Sequence, residues 1–150
     1  MIEISRIVKS DIGTIQGVIN LNAEDLRESY INTNNLNDIF ADLSQIFLIA
    51  KCEKKLVGFL HCNFKVSDNT ELLSIAVARD FREQGIATQL LEYLLNELKG
   101  RGIEKIFLEV SEKNVGARAL YTQLGFKEYT MRRKYYPNGE DAICMFLSIN

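Results

Sequence analysis

Glu109 stands in Ile106-Phe107-Leu108-Glu109-Val110, a run otherwise apolar enough for a strand covered on both faces. A carboxylate there suits a general base whose basicity is raised by partial burial. It equally suits a strand end that points to water and does no chemistry. Asn114 is of the right type to cap a following helix, and Tyr121 lies seven residues on, nearly two turns later, so both fall on one helix face. By period alone Tyr121, flanked by Ala117, Leu120 and Leu124, is a core aromatic. Upstream, Arg82-Glu83-Gln84-Gly85-Ile86-Ala87 runs straight into an amphipathic pattern. That arrangement leaves the first N–H groups of a helix bare, at the positive end of its dipole, where a phosphate or pyrophosphate binds without a charged side chain. Gly85 and Ala87 keep side-chain bulk away from such a ligand. The plainer reading is a tight strand-to-helix connection relieved by a glycine. No Gly-Lys-Ser/Thr follows, so the stretch is not a P-loop, and the glycine spacing of a dinucleotide fold is missing.

These residues must be positioned by strands and helices, and the periodicities supply them. Alternating β-rich stretches predict strands over 3–8, 46–52, 56–66, 71–77, 105–110, 126–135 and 141–149. Helical spacing predicts helices over 12–21, 36–43, 84–98 and 114–124. Glu53-Lys54-Lys55 and Asp68-Asn69 read as turns that join three consecutive antiparallel strands. Ile86, Leu90, Leu91, Leu94, Leu95 and Leu98 form one stripe, with Gly100 as the expected stop. The strand, helix, strand order from 71 to 110 implies a right-handed crossover and a parallel pair. The anion site then falls at the C-terminal ends of those two strands, where open α/β sheets bind ligands. The fold class expected is α/β with an α+β mixed sheet, of about seven strands and four helices, in a single domain over 1–150.

Composition narrows the functions. A chain of 150 residues with a net charge of −2 has no basic face suited to a dedicated nucleic-acid binder, and it fits an amine or basic protein substrate better. Cys52, Cys62 and Cys144 are widely spaced in apolar runs, so neither a disulfide framework nor a Cys-x-x-Cys metal site is expected, and a reducing cytoplasm is the natural setting. His61 is the only histidine, which excludes a His-based metal cluster and leaves a strand residue with at most a minor part in proton transfer. The start Met1-Ile2-Glu3-Ile4 reads as a strand, without the basic and apolar regions of a secretory signal, and no apolar run reaches the ~20 residues of a membrane span. Arg132-Arg133-Lys134-Tyr135-Tyr136 would split its charges between two faces as a strand, so it reads as a strand and loop bordering a pocket rather than a phosphate track.

Taken together the chain resembles the GNAT acetyltransferases, and within them the bacterial ribosomal-protein-alanine N-acetyltransferases, the RimI group. Arg82-x-x-Gly85-x-Ala87 is similar to that superfamily's acetyl-CoA signature. Leu108-Glu109-Val110-Ser111-Glu112-Lys113-Asn114, Ala119-Leu120-Tyr121 through Gly125-Phe126, and Arg132 to Pro137 followed by Glu140-Asp141-Ala142 resemble the RimI group in particular. The resemblance implies acetyl-CoA as acetyl donor, with no metal. Ile75, Ala76 and Val77 would line its pantetheine arm and present backbone N–H to the thioester carbonyl. Glu83, Gln84, Gly85, Ile86, Ala87 and Thr88 would hold the pyrophosphate, and Asn114 would contact the cofactor. Glu109 would be the general base and Tyr121 the general acid. The acceptor implied is a protein N-terminus, that of an alanine-starting ribosomal protein. Acids in residues 22–45, among them Glu24, Asp25, Glu28, Asp38 and Asp42, are available to border its groove, although the tryptophan and proline expected there in the RimI group are missing. A small amine or polyamine acceptor on the same scaffold, or a coenzyme A sensor without turnover, are the other readings, since fold does not fix the acceptor. A nucleotide-phosphate binder ranks low because no lysine or acidic metal ligand stands beside the glycine turn.

Overall fold

The computed structural model describes residues 1–7, 44–63 and 70–149. The helices expected over 12–21 and 36–43, the Asp68-Asn69 turn and the acids of residues 22–43 lie outside the described residues. The described elements are β1 (Ile2–Arg6), β2 (Gln45–Cys52), β3 (Lys55–Asn63), β4 (Glu71–Val77), a 3-10 turn (Arg79–Phe81), α1 (Ile86–Lys99), β5 (Lys105–Ser111), α2 (Val115–Gln123), β6 (Lys127–Arg132) and β7 (Ala142–Ser148). Two helices are thus described where four were expected.

All seven strands form one sheet in the order β1-β2-β3-β4-β5-β7-β6. β1 to β4 are successively antiparallel, β4 and β5 are parallel, and β7 inserts antiparallel between β5 and β6. The β2–β3 hairpin closes on two residues, Glu53 and Lys54, at φ 49° and 70°, flanked by the pair Cys52↔Lys55. Positive φ at both loop positions matches the right-handed twist of the strands, which is why so short a connection closes without the glycine usually found there.

The parallel pair is barely a pair. Its register consists of Glu71↔Phe107, supported by the Phe107 N–H donating to the Thr70 carbonyl at 2.9 Å. Just beyond, Cys62 pairs with Leu72 but His61 pairs with Ser74, so Leu73 is an extra residue in β4. Such a bulge bends its strand and sharpens the local twist. β4 and β5 are therefore joined at one end and part toward their C-terminal ends, whereas β5 and β7 pair from Lys105↔Ser148 to Ser111↔Ala142.

The core lies between one sheet face and α1. Ile46, Leu48 and Leu60 from the sheet and Ile86, Leu90, Leu94 and Leu98 from the helix are all fully buried, each worth about 2 kcal/mol as area removed from water. α1 ends differently from expectation. Gly100 is an ordinary right-handed residue at φ −63°, and the left-handed position falls on Gly102 at φ 72°. There the Ile103 N–H donates to the Leu98 carbonyl and the Gly102 N–H to the Lys99 carbonyl, a Schellman ending sealed by the buried pair Leu98 and Ile103. Helical period alone cannot tell which of two nearby glycines takes the left-handed turn. Gly102→Ala is therefore expected to lower stability by about 1 kcal/mol, and Gly100→Ala to leave it unchanged or raise it by about 0.5 kcal/mol, as read from urea midpoints. Equal losses in both variants would refute this ending.

Candidate functional site

Where β4 turns toward α1, the chain passes twice through left-handed backbone, at Glu83 (φ 61°) and Gly85 (φ 80°). A Cβ on Gly85 would meet nothing within 4 Å, so its φ and access from outside, rather than crowding, make glycine apt here. Arg82 steadies the turn by donating from Nε to the Val77 carbonyl at 3.0 Å. Gly85 provides no side-chain cap to α1, and the first helical turn holds no acidic residue, so the positive end of the dipole is left for an outside anion.

This helix start opens into a cavity of about 680 Å³ lined by Ile75, Ala76 and Val77 of β4, by Glu83, Gly85, Ile86, Ala87 and Thr88 at the turn, and by Asn114 and the small residues Gly116, Ala117 and Ala119 at α2. Of the residues expected to hold a diphosphate-bearing cofactor, Gln84 is not among the lining. Its amide donates instead to the Asp80 carbonyl at 3.4 Å. The remaining donor set fits such a group: a bare helix start for the phosphates, then a parted strand edge whose main-chain groups β5 does not take.

A second cavity, of about 670 Å³, lies toward β5 and the β6–β7 connection, lined by Glu71, Leu73, Glu109, Ser111, Tyr135 and Tyr136 among others. The two cavities share Asn114, Ala117 and Tyr121. Alternation explains their relation. Ile106, Leu108 and Val110 of β5 point into the core, so Phe107 and Glu109 project from the opposite face. Tyr121 reaches the junction from the helical side.

Asn114 caps α2, its Oδ1 accepting from the Ala117 N–H at 3.2 Å. Tyr121 is buried, meets Phe126 edge to face at 5.9 Å, and has its hydroxyl pushed up to about 12 by burial. It is both the core aromatic that its period suggests and a neutral phenol at the mouth of the slot. The Glu109 side chain is 19% exposed, and its Oε1 lies 3.6 Å from Arg132 Nε. Tyr135 is held above the ordinary phenol range, first by its hydrogen bond to Glu109, then by burial. Arg132 also stands over the Tyr135 ring at 5.7 Å.

Two acids were given no role in the sequence reading. Glu71, taken there as a strand start, faces the second cavity and is held above the usual carboxylate range by burial and then by the Glu109 charge, with Arg132 opposing. Its signal was the parallel pairing, but the register that brings it near Glu109 is not written in any local pattern. Glu140 is buried and accepts from Ser111 Oγ at 2.6 Å and from Asn138 Nδ2 at 3.0 Å. It ties the connection carrying Tyr135 and Tyr136 to the end of β5. That connection borders the pocket, as the basic and aromatic run suggested. His61 lines neither cavity. It is buried on β3 with Nε2 2.7 Å from Gln45 Oε1, its imidazole pulled down to about 4 by burial. The three cysteines are free, no group of metal-ligating side chains occurs among the described residues, and no helix among them is long and apolar enough to cross a membrane.

The sheet with its parted parallel strands, glycine turn and helix start has the architecture of the GNAT fold. The sequence model of the acetyltransferase (GNAT) family matches residues 12–126, and the chain belongs to that family. It is 48% identical over 88 residues to the [ribosomal protein bS18]-alanine N-acetyltransferase of Escherichia coli (strain K12), a match covering 57% of this chain and 60% of that relative. The chain thus spans about 60% of the length of the first curated relatives it matches. The crystal structure of the ribosomal-protein-S18-alanine N-acetyltransferase from Escherichia coli superposes with a TM-score of 0.83 at 31% identity, covering 100% of this chain and 95% of that one. An aminoglycoside 6'-N-acetyltransferase complexed with coenzyme A shares the fold, with a TM-score of 0.85 at 19% identity over 99% of this chain and 97% of that one.

The Tyr121 phenol gives a measurable signature. Its folded-state value, about 12, lies above the ordinary 10, so between these limits the unfolded chain loses the proton first. The stability it contributes is whole below pH 10 and is lost as pH rises toward 12. Urea midpoints are expected to show a fall on the order of 2 kcal/mol across that window that is missing from Tyr121→Phe, and equal falls in both proteins would contradict the burial of the hydroxyl.

Proposed function

We propose that the chain transfers the acetyl group of acetyl-CoA to the N-terminal α-amino group of a protein, an alanine-starting small-subunit ribosomal protein. The observation that carries this reading is the slot between β4 and β5, with a bare helix start at one end and, at the other, a cavity lined by both a carboxylate and a neutral phenol. The family membership supports the reaction type, and the names of the relatives support the acceptor.

Acetyl-CoA, when bound, would supply an activated acetyl thioester. The chain supplies the rest. The N–H groups at the start of α1, with Glu83, Gly85, Ile86, Ala87 and Thr88 around them, hold a diphosphate by dipole and hydrogen bonds, and Gln84 contributes backbone at most. Ile75, Ala76 and Val77 would line a pantetheine arm along the edge of β4 that β5 does not cover, with the Val77 carbonyl already taken by Arg82, and Asn114 closes the cavity from α2. An α-amino group has a pKa near 8 and is mostly protonated at neutral pH, so it must lose a proton before attack. Glu109, directly or through one water, accepts it. A main-chain donor from residues 75–77 aimed at the carbonyl oxygen answers the negative charge that grows there, a contribution of about 3 kcal/mol for one such donor. Tyr121, which burial keeps protonated at neutral pH, would be the group to protonate the leaving thiolate as the carbon–sulfur bond breaks. No nucleophilic side chain is needed.

The test is coenzyme A release from acetyl-CoA against alanine-starting peptides, lysine-containing peptides and polyamines. Preference for the free N-terminus is expected; preference for polyamines would replace the acceptor, and tight cofactor binding without turnover would indicate a sensor. Glu109→Gln and Tyr121→Phe are each expected to lower turnover by about 10²-fold while calorimetry with coenzyme A stays unchanged. Wild-type rates in both variants would defeat the assigned roles.

A further inference from the structure

We propose that Glu140 is a positioning residue for the acceptor: by tying the β6–β7 connection to the end of β5 it holds the wall made by Tyr135 and Tyr136, and so makes an amine that carries a peptide chain the preferred acceptor over a short one. The proposal rests on the amine-acetylation reading above and names a residue that decides which amines the site takes.

The connection between β6 and β7 has neither helix nor strand of its own, and it is folded around one carboxylate. Glu140 is 9% exposed. Its Oε2 accepts from Ser111 Oγ at 2.6 Å and its Oε1 from Asn138 Nδ2 at 3.0 Å, while its N–H donates to Asn138 Oδ1 at 2.9 Å. Its carbonyl accepts from the Tyr136 N–H at 3.2 Å, and the Tyr136 carbonyl accepts from the Gly139 N–H at 2.9 Å. One residue thus holds the wall through main chain, the turn through Asn138 and the sheet through Ser111. Ser111 ends β5 opposite Ala142, two residues beyond Glu109 and on the same strand face.

Closing a turn needs only main-chain bonds, and a buried carboxylate is unfavourable unless donors meet its oxygens. Here one donor lies within the turn and the other, Ser111, stands 29 residues earlier in the chain. What the carboxylate adds is a fixed placement of the one against the other. The segment it fixes faces the chemistry. Tyr135, Tyr136, Pro137 and Asn138 line the same cavity as Glu109, and the two tyrosine rings meet edge to face at 5.1 Å. An acceptor whose amine reaches Glu109 shares that cavity with both rings. A short amine has little beyond its nitrogen to set against them, whereas a peptide has apolar surface and main-chain groups. A wall already held in place spares the peptide the loss of freedom that ordering it would demand.

The experiment measures acetyl transfer to an alanine-starting peptide and to alaninamide, which has the same first residue without a chain, in wild type, Glu140→Ala, Glu140→Gln and Ser111→Ala. Amide hydrogen exchange is followed in each full-length protein. Glu140→Ala is expected to raise the peptide KM at least ~10-fold, with kcat and the alaninamide KM changed far less. Glu140→Gln should recover most of that KM, because its amide oxygen can accept from Asn138 and the Ser111 hydroxyl can turn to accept from its amide N–H. Ser111→Ala cuts the tie from the strand side and should raise the peptide KM in the same direction, so the test survives a turn variant that folds poorly. In both alanine variants the N–H groups of Tyr136, Gly139 and Glu140 should exchange about 10-fold faster than in wild type, and those of β5 far less so. Exchange in the connection equal to wild type in both variants, or a peptide KM that rises no further than that of alaninamide, would overturn the proposal. If wild type acetylates no amine, the acetylation reading fails on its own, and calorimetry with the same two compounds decides Glu140: peptide binding no weaker in Glu140→Ala than in wild type, relative to alaninamide, overturns it.

Discussion

A single bridge between β4 and β5, with Glu71 opposite Phe107, is the constraint on which the site depends. Had the parallel pair continued, its ladder would have taken up main-chain groups on the β5 side of residues 75–77 and closed the gap between the strands. The extra residue Leu73 turns β4 away, and β5 takes its full complement of partners from β7 instead. The cost of parting two strands in the middle of a sheet is a set of main-chain donors and acceptors left without a strand partner. In a binding site those groups become the means of holding a linear ligand.

What flanks the gap is assembled from both layers. The helical side brings the start of α1, the capped start of α2 and the buried Tyr121, and the opposite sheet face brings Glu71, Glu109 and Arg132. Each layer sets a different protonation state. Burial in the core keeps the phenol neutral, while on the open face two carboxylates share one guanidinium. A neutral phenol and a carboxylate thereby line one cavity in distinct surroundings, an arrangement that suits acid and base steps at the same pH.

The β6–β7 connection encloses this face without a helix of its own. Glu140 is buried beneath it, bonded to Ser111 at the end of β5 and to Asn138, while Asp141 Oδ1 accepts from the Lys134 N–H at 2.8 Å. Tyr135 and Tyr136 are thus carried on a segment anchored to the strand that bears Glu109.

Much of this was legible from residues alone. The bounds of β4, the long stripe of α1, the glycine at the anion end, the capping by Asn114 and the strand position of Glu109 all follow from patterns that repeat within a few residues, because local sterics and burial set them. The dual nature of Tyr121, core by period and lining by position, was half visible for the same reason. The register of β4 on β5, the bulge at Leu73, the insertion of β7 between β5 and β6 and the burial of Glu140 were decided by tertiary structure, as was the choice of Gly102 over Gly100 to end α1. These depend on which distant segments compete for the same hydrogen bonds and the same buried space. A one-residue change in register moves every side chain of a strand to the other face without altering a single local pattern.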